Sequence, residues 1–241
     1  MDLKEERLLG DNIASHWYYV SKGKVLQKLL RGIQADVMVD VGAGSGIFSR
    51  LLLASKICKH AICIDTNYES EKTETFSYGQ IHYARQINIA ECDLILMMDV
   101  LEHVDDDAAL LHQFVKQLRY GGLIVITVPA FQFLWSGHDD FLEHRRRYTL
   151  RDLEHLVNKE GLEIINGRYF YGLLFPIVAV IRLCNRLALR VRNQQASSAL
   201  KTYPMFLNAI LIRLHDIERY LIMPINRAFG LTVVCLARKR Q

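Results

Sequence analysis

Short, nearly unbroken apolar runs recur along the chain with helix-patterned segments between them, and this alternation restricts the fold more than any other feature. VMVDV (37–41), AICID (61–65), IHYA (81–84), DLILMM (93–98) and LIVITV (123–128) have the length of strands. Their continuous hydrophobicity is what a parallel sheet covered on both faces requires. IFSRLLLASKI (47–57) and DDDAALLHQFVKQLRYGG (105–122) carry helical spacing instead. In the second, three acids favour the helix N-terminus, and Gly121 with Gly122 are expected to end it. TLRDLEHLVNKEGL (149–162) predicts another helix, with Thr149 as N-cap and Gly161 as stop. LEIINGRYFY (162–171) and GLTVVCLAR (230–238) supply two final strands. The pattern specifies an α/β, doubly wound domain.

Residues 171–227 separate the last two strands, too long a stretch to be structureless. PIVAVIRLCNRLALRVR sets Arg182, Arg186 and Arg190 on one stripe of an apolar helix, and FLNAILIRLHDIERYLIM reads as a second helix. The expected organisation is a main domain of residues 1–170 and 228–241 with a basic, amphipathic helical insertion at 171–227. That insertion is read as a cap, a homodimer face or a peripheral contact with an anionic membrane. Charge is uneven in the same sense: residues 1–167 hold 18 Lys and Arg against 24 acids, residues 168–241 hold 12 against 2. No apolar run reaches the ~20 residues needed to cross a bilayer. The acidic start, MDLKEERLLGDN, lacks a secretory core, and five scattered cysteines form no C-x-x-C pair, so a cytoplasmic setting is expected.

VDVGAGSGIF puts Gly42, Ala43, Gly44 and Gly46 between the first strand and a helix, where absent Cβ atoms permit a sharp turn and close approach of a ligand. Asp40 stands at the strand end, and Asp65 closes the second strand, placed to accept both ribose hydroxyls of a nucleoside. The spacing is G-x-G-x-G, with Ile47 where a dinucleotide loop has its third glycine, and no Lys-Ser/Thr pair follows. A nucleoside without a pyrophosphate fits, and S-adenosyl-L-methionine is the candidate.

With those residues in place, the chain resembles class I S-adenosylmethionine-dependent methyltransferases. CDLILMMDVLEHVDDD is similar to the fourth strand and following segment of the ubiquinone-type small-molecule members. HWYYVSKGKVL (16–26), VPAFQFLWSGHDDFLEHRRRYT (128–149) and NRAFGLTVVCLARK (226–239) resemble a subgroup found among bacterial envelope and polysaccharide genes. The resemblance implies a seven-stranded, mostly parallel sheet with the last strand antiparallel. It also implies that Asp40 and the glycines border the methionine moiety, that Asp65 with Thr66 holds the ribose, and that Asp99 lies near the sulfonium end. The family's acid after the third strand is replaced here by YARQINIAECD, so Gln86 or Asn88 is the candidate adenine contact. His16 to Tyr19 is read as a lid, with Lys22 near the cofactor carboxylate.

Methyl transfer is an in-line displacement that needs alignment and, for a hydroxyl acceptor, removal of a proton. His103, His138 and His144 are the candidate bases that this architecture brings to the cofactor edge. Trp135 and Phe141 are expected to wall the acceptor pocket, and Arg146, Arg147 and Tyr148 to meet an anionic group on the acceptor. Pairing of these arginines with Asp139, Asp140 and Glu143 is the competing reading. The acids around Glu102 and Asp105 to Asp107 are read as helix capping, and no metal ligands are assigned. The expected function is O-methylation of a small-molecule acceptor: an envelope glycan precursor, a lipid-linked sugar or an acidic metabolite. An RNA methyltransferase and a non-catalytic scaffold are the alternatives. No nucleic acid is expected, because no RNA module or Asn-Pro-Pro-Tyr motif is present.

Overall fold

A computed structural model describes residues 10–86, 91–188 and 203–240. Eight strands form one sheet: β1 (Ala35–Val41), β2 (Cys58–Ile64), β3 (Lys72–Phe76), β4 (Gly79–Ala84), β5 (Cys92–Met98), β6 (Leu118–Pro129), β7 (Leu162–Phe170) and β8 (Thr232–Lys239). Their order is β3-β4-β2-β1-β5-β6-β8-β7. β4, β2, β1, β5 and β6 run parallel, while β8 lies antiparallel between β6 and β7. Seven of the strands match the expected arrangement. The eighth, β3, is an edge strand antiparallel to β4. Its sequence, KTETF, is polar because it lines the rim of the sheet, and a search for apolar runs passes over it.

The apolar runs are continuous because the sheet buries both faces. Along β5, Leu94, Leu96 and Met98 point into one core with Phe48, Leu52 and Leu26. Ile95 and Met97 point into the other with Leu111, Phe114 and Leu153. Each such side chain, fully removed from water, contributes about 1.5–3 kcal/mol.

The first core is covered by α1 (Trp17–Leu29) and α2 (Ile47–Ala54), the second by α3 (Asp107–Gln117) and α5 (Leu150–Lys159). The short α4 (Gly137–Phe141) stands over the carboxyl edge between them. Thr149 caps α5 in a reciprocal box with Asp152, and Gly161 follows with φ +75°, as expected. Asp106 is the N-cap of α3, accepting from the Ala109 N–H at 2.8 Å. That helix stops at Gln117, not at the Gly121–Gly122 pair. Leu118 turns extended and pairs with Cys92 at the start of β6, because its side chain is needed in the core.

Within the insertion lie α6 (Phe175–Ala188) and α7 (Met205–Ile217). α7 is tied to α1: Asn208 accepts from the Trp17 N–H at 2.8 Å and donates to Ser15 O at 2.8 Å. Trp17 stacks on the buried His215 ring at 5.3 Å. Among the described residues no helix is long and apolar enough to cross a membrane.

Candidate active site

At the carboxyl end of β1 the glycine loop has the backbone that its sequence demands. Gly42 and Gly46 have φ of +62° and +72°. A Cβ on Gly42 would stand 2.9 Å from Val100 Cγ2, and one on Gly46 2.9 Å from Tyr83 Oη. Neither site admits a side chain without strain. Ala43 is buried and its N–H donates to Ile64 O at 3.1 Å, joining the loop to β2.

Asp65, at the end of β2, accepts from the Gly44 N–H at 3.1 Å and the Asn67 N–H at 2.9 Å. Tyr68 Oη donates to Gly44 O at 2.6 Å. Thr66 and Gln86 are exposed beyond the same edge, and Asn88 lies outside the described residues. Asp40 is buried behind the loop and accepts from Ser49 Oγ at 2.7 Å. Burial pushes its carboxyl up to about 6; the Ser49 hydrogen bond opposes this and the Asp65 charge adds to it.

Asp99 follows β5 with φ +56°, a left-handed conformation costing an L residue on the order of 1 kcal/mol. Its side chain is over-determined. Lys22, buried in α1, donates to Oδ2, as does Tyr18 Oη at 3.2 Å, and Thr127 Oγ1 donates to Oδ1 at 3.0 Å. Burial raises the Asp99 carboxyl, but the Lys22 charge and hydrogen bond outweigh it and hold the group ionised, below its ordinary range. Lys22, expected beside the cofactor carboxylate, is therefore engaged with the residue expected near the sulfonium.

Asp99 forms one wall of a cavity of about 730 Å³ that also takes Trp17, Tyr18 and Tyr19 from α1 and Glu102 and His103 from the turn after β5. His138, His144 and Arg147 come from the segment around α4, and Leu174, Val178, Ile181 and Arg182 from the start of the insertion. Leu207 and Leu211 of α7 complete the apolar side. All three candidate histidines thus meet in one space. The His103 and His144 rings are 4.7 Å apart, edge to face, and His138 lies 6.5 Å from His144.

The histidines differ in what holds them. His144 Nδ1 is 2.9 Å from Oδ1 of Asp139, which is fully buried. Arg147 contacts both oxygens of the same carboxylate, through Nε at 2.7 Å and Nη2 at 3.0 Å. Burial alone would push Asp139 up; the His144 hydrogen bond and the Arg147 guanidinium outweigh it and keep the acid ionised. An ionised Asp139 can only accept, so Nδ1 carries the hydrogen and Nε2 is the atom left with a lone pair. Burial lowers His138 to about 4; Asp139 opposes that, and Arg182, His144 and Arg147 reinforce it, leaving the ring neutral at physiological pH. Arg182, expected on the basic stripe of an apolar helix, turns into the cavity and donates to Leu134 O. Burial lowers it to about 10, still cationic at neutral pH. The Arg186 side chain and Arg190 are outside the described residues.

Glu102 is fully buried, and among the described residues neither carboxylate oxygen has a hydrogen-bond partner. Burial, and then the charge of Asp99, push it well above the usual carboxylate range. Glu102, His103 and His144 each offer one ligand atom within 4.8 Å of one another. Such a group could hold a divalent cation or, with Glu102 protonated, share protons among the three.

Four expected acceptor residues do not line the cavity: Trp135, Phe141, Arg146 and Tyr148. Trp135 Nε1 donates to Asp140 at 2.9 Å. Arg146 donates to the carbonyls of Val104 and Asp105 at 2.9 and 2.6 Å and pairs with Asp107 at 3.2 Å. Tyr148 Oη donates to the same Asp107 at 2.6 Å. These contacts fasten the segment around α4 to the turn after β5, so internal pairing accounts for Arg146. No local signal singles out Asp139 from Asp140 and Glu143 beside it; its burial does.

A protein family described as Methyltransferase domain matches residues 16–166. A probable S-adenosylmethionine-dependent methyltransferase of Mycobacterium tuberculosis is 21% identical over 182 residues, covering 71% of this chain and 65% of that protein. A Mycolicibacterium smegmatis counterpart is 21% identical over 173 residues, covering 68% and 66%. The chain thus spans about two thirds of the length of these relatives. Among solved structures, a methyltransferase from Archaeoglobus fulgidus superposes with a TM-score of 0.55 at 15% identity over 98% of each chain. Phosphoethanolamine N-methyltransferase 2 of Haemonchus contortus, in complex with S-adenosyl-L-methionine, gives 0.56 at 15% identity over 98% of this chain and 56% of that one. At such identities the superpositions speak for the fold alone. Family match and strand order agree, and the chain belongs to the methyltransferase-domain family.

Proposed function

We propose that the protein binds S-adenosylmethionine as its cofactor and transfers the methyl group to a hydroxyl of a small-molecule acceptor seated in the cavity beside Asp99, within the class of glycan precursors, lipid-linked sugars and acidic metabolites. The loop and its acid fit the cofactor on steric grounds. Gly42 and Gly46 leave bare backbone at the rim, and Asp65 uses only two of a carboxylate's roughly four lone-pair sites on Gly44 and Asn67. Asp65 would hold the ribose hydroxyls, Gly42 to Gly46 would border the amino-acid portion, and Asp99 would face the charged end. When bound, the cofactor supplies an electrophilic methyl on a sulfonium.

The rest is done by side chains. Asp139 fixes the His144 tautomer and orients the ring, and Nε2 takes the proton from the acceptor hydroxyl as the oxygen attacks. The ionised Asp139 balances the imidazolium that results, as a buried carboxylate behind a catalytic histidine does elsewhere. His138, kept neutral, can receive or donate a hydrogen bond without competing for the proton. Arg147 and Arg182 make the wall opposite Asp99 cationic, suited to an acceptor with a negative group. α1 and the described helices of the insertion line the cavity with Trp17, Val178, Leu207 and Leu211, which lowers its polarity.

The observation that carries this reading is the Asp139–His144 pair lining the same cavity as Asp99. Cell extract incubated with the protein and cofactor bearing a deuterated methyl tests it by mass spectrometry. A product gaining one labelled methyl on oxygen is expected, and its yield should collapse with His144→Ala. A product methylated on nitrogen or carbon, or undiminished yield from that variant, would overturn it.

A further inference from the structure

The charges that line the cavity are unequally paired. Asp99 is taken by Lys22, Tyr18 and Thr127. Arg147 is spent as well: Nε and Nη2 hold the two oxygens of Asp139, and Nη1 donates to Ala130 O at 2.9 Å. Arg182 differs. Among the described residues its one hydrogen bond goes to Leu134 O, and its carboxylate neighbour, Asp139, stands 4.0 Å away, already shared by His144 and Arg147. A guanidinium has five N–H donors, so most of those on Arg182 are left over, in a cavity wall where its side chain keeps 16% of its surface. Burial pushes Glu102 up and His138 down, each towards its neutral form, so the first does not offset the Arg182 charge and the second does not add to it. Residues 189–202, next in the chain after α6, contain Arg190, Arg192 and Lys201 and no acid. The cavity thus carries one cation without a counter-ion of its own.

From this arrangement we infer that Arg182 reads an anionic group on the acceptor, and that the acceptor is an apolar hydroxy acid: its carboxylate on Arg182, its hydroxyl at His144, its hydrocarbon against α1, α6 and α7. The inference rests on the cavity being the acceptor site, and it selects among the classes proposed for that site. A carboxylate matches the fork of a guanidinium and the single surplus charge, whereas a phosphate monoester brings nearly two negative charges to one free cation. Trp17, Leu174, Val178, Ile181, Leu207 and Leu211 supply the apolar lining. A sugar carries a hydroxyl on almost every carbon and would set several of them against that lining unpaired, while the polar groups that could have met them are bonded to one another. Asp139 also links the two ends of the acceptor. His144 Nδ1 lies 2.9 Å from its Oδ1 and Arg182 Nη1 4.0 Å from its Oδ2, so acid and reacting hydroxyl belong on neighbouring parts of the molecule.

Calorimetric titration of the full chain, with S-adenosylhomocysteine present, tests this with 3-hydroxyoctanoate as the probe. The acid should bind saturably, one per chain, at least tenfold more tightly than its methyl ester or gluconate, and more tightly than octyl phosphate. The ester keeps the shape and loses the charge, so it serves as the internal standard. Arg182→Gln should bring acid and ester within twofold of each other by weakening the acid alone, and Arg182→Lys should restore part of the preference. An ester that binds as well as the acid, a Gln variant that keeps the tenfold preference, or gluconate or octyl phosphate as the tightest ligand would each overturn the inference. So would the absence of saturable binding by the acid, or a Gln variant that weakens acid and ester alike, which would mark Arg182 as a strut of the wall. None of these measurements needs turnover. A chain that shows the acid preference yet methylates no hydroxyl loses the transferase reading and keeps the anion site, so the two failures are told apart.

Discussion

The two halves of the carboxyl edge are built on different principles. On the β2–β1 side the proposed cofactor crevice is made of main chain: φ values of +62° and +72° at Gly42 and Gly46, and amides of Gly44 and Asn67 gathered on one carboxylate. On the β5–β6 side the proposed acceptor cavity is made of side chains drawn from residues 17 to 232, held by buried charge: Lys22 on Asp99, His144 and Arg147 on Asp139. A crevice of backbone is suited to one invariant ligand, because amides and missing Cβ atoms can be tuned only coarsely. A cavity of side chains can be refitted to another acceptor one residue at a time. The contrast says where to expect shared chemistry and where to expect what is particular to this protein.

It also says how substitutions should separate. The largest effect is expected at His144→Ala, where labelled-methyl incorporation should fall by about 10²–10⁴-fold, the usual worth of a positioned base, with cofactor affinity unchanged by calorimetry. Asp139→Asn should lose less, since the ring keeps a neighbour but loses the counter-charge to the imidazolium that proton transfer creates. Next comes Asp65→Ala. Two charge-assisted hydrogen bonds to ribose are worth about 2–3 kcal/mol together, so the cofactor dissociation constant should rise roughly 30- to 150-fold. If Asp65→Ala spared binding while His144→Ala abolished it, the division of labour drawn above would be wrong. Smaller again is Gly46→Ala, which puts a Cβ at a left-handed φ and 2.9 Å from Tyr83 Oη; a loss of about 1–3 kcal/mol in denaturant unfolding is expected.

The same contrast explains what could be read from the chain in advance. Strands buried on both faces announce themselves through composition, as β5 does with Leu94 to Met98, and a glycine loop announces itself through spacing. Both signals are local. β3 escaped because its five residues are mostly polar and none is fully buried, and the end of α3 was misplaced because Leu118 answers to Cys92 across the sheet, not to its own neighbours. In the acceptor half, the histidines were legible as residue types after strands. That Arg146 would serve as a fastening while Arg182 turned inward depends on contacts over tens of residues, for which no local pattern exists. Asp139 stood among three acids of one segment, and only burial distinguishes it from Asp140.

Glu102 gives the subtlest way to sharpen the comparison, because it shows the acceptor half storing a cost that the cofactor half does not. Its carboxyl is fully buried, has no hydrogen-bond partner among the described residues and faces the ionised Asp99, so folding raises its pKa by burial first and by that charge second. In the unfolded chain it ionises near the ordinary value of about 4.3. Below that pH both states carry the proton and the group is neutral to stability. Above it the unfolded chain releases the proton while the folded one retains it, and stability declines until the pH passes the raised folded value. Glu102→Gln copies the protonated shape without this penalty. The variant should melt higher than the parent at pH 7 to 8 by a few degrees, with the gap closing as the pH is lowered towards 4. Equal melting temperatures across that range would mean that Glu102 is ionised and compensated, as it would be around a bound cation. That result would turn the Glu102, His103 and His144 cluster from a proton-sharing group into a metal site.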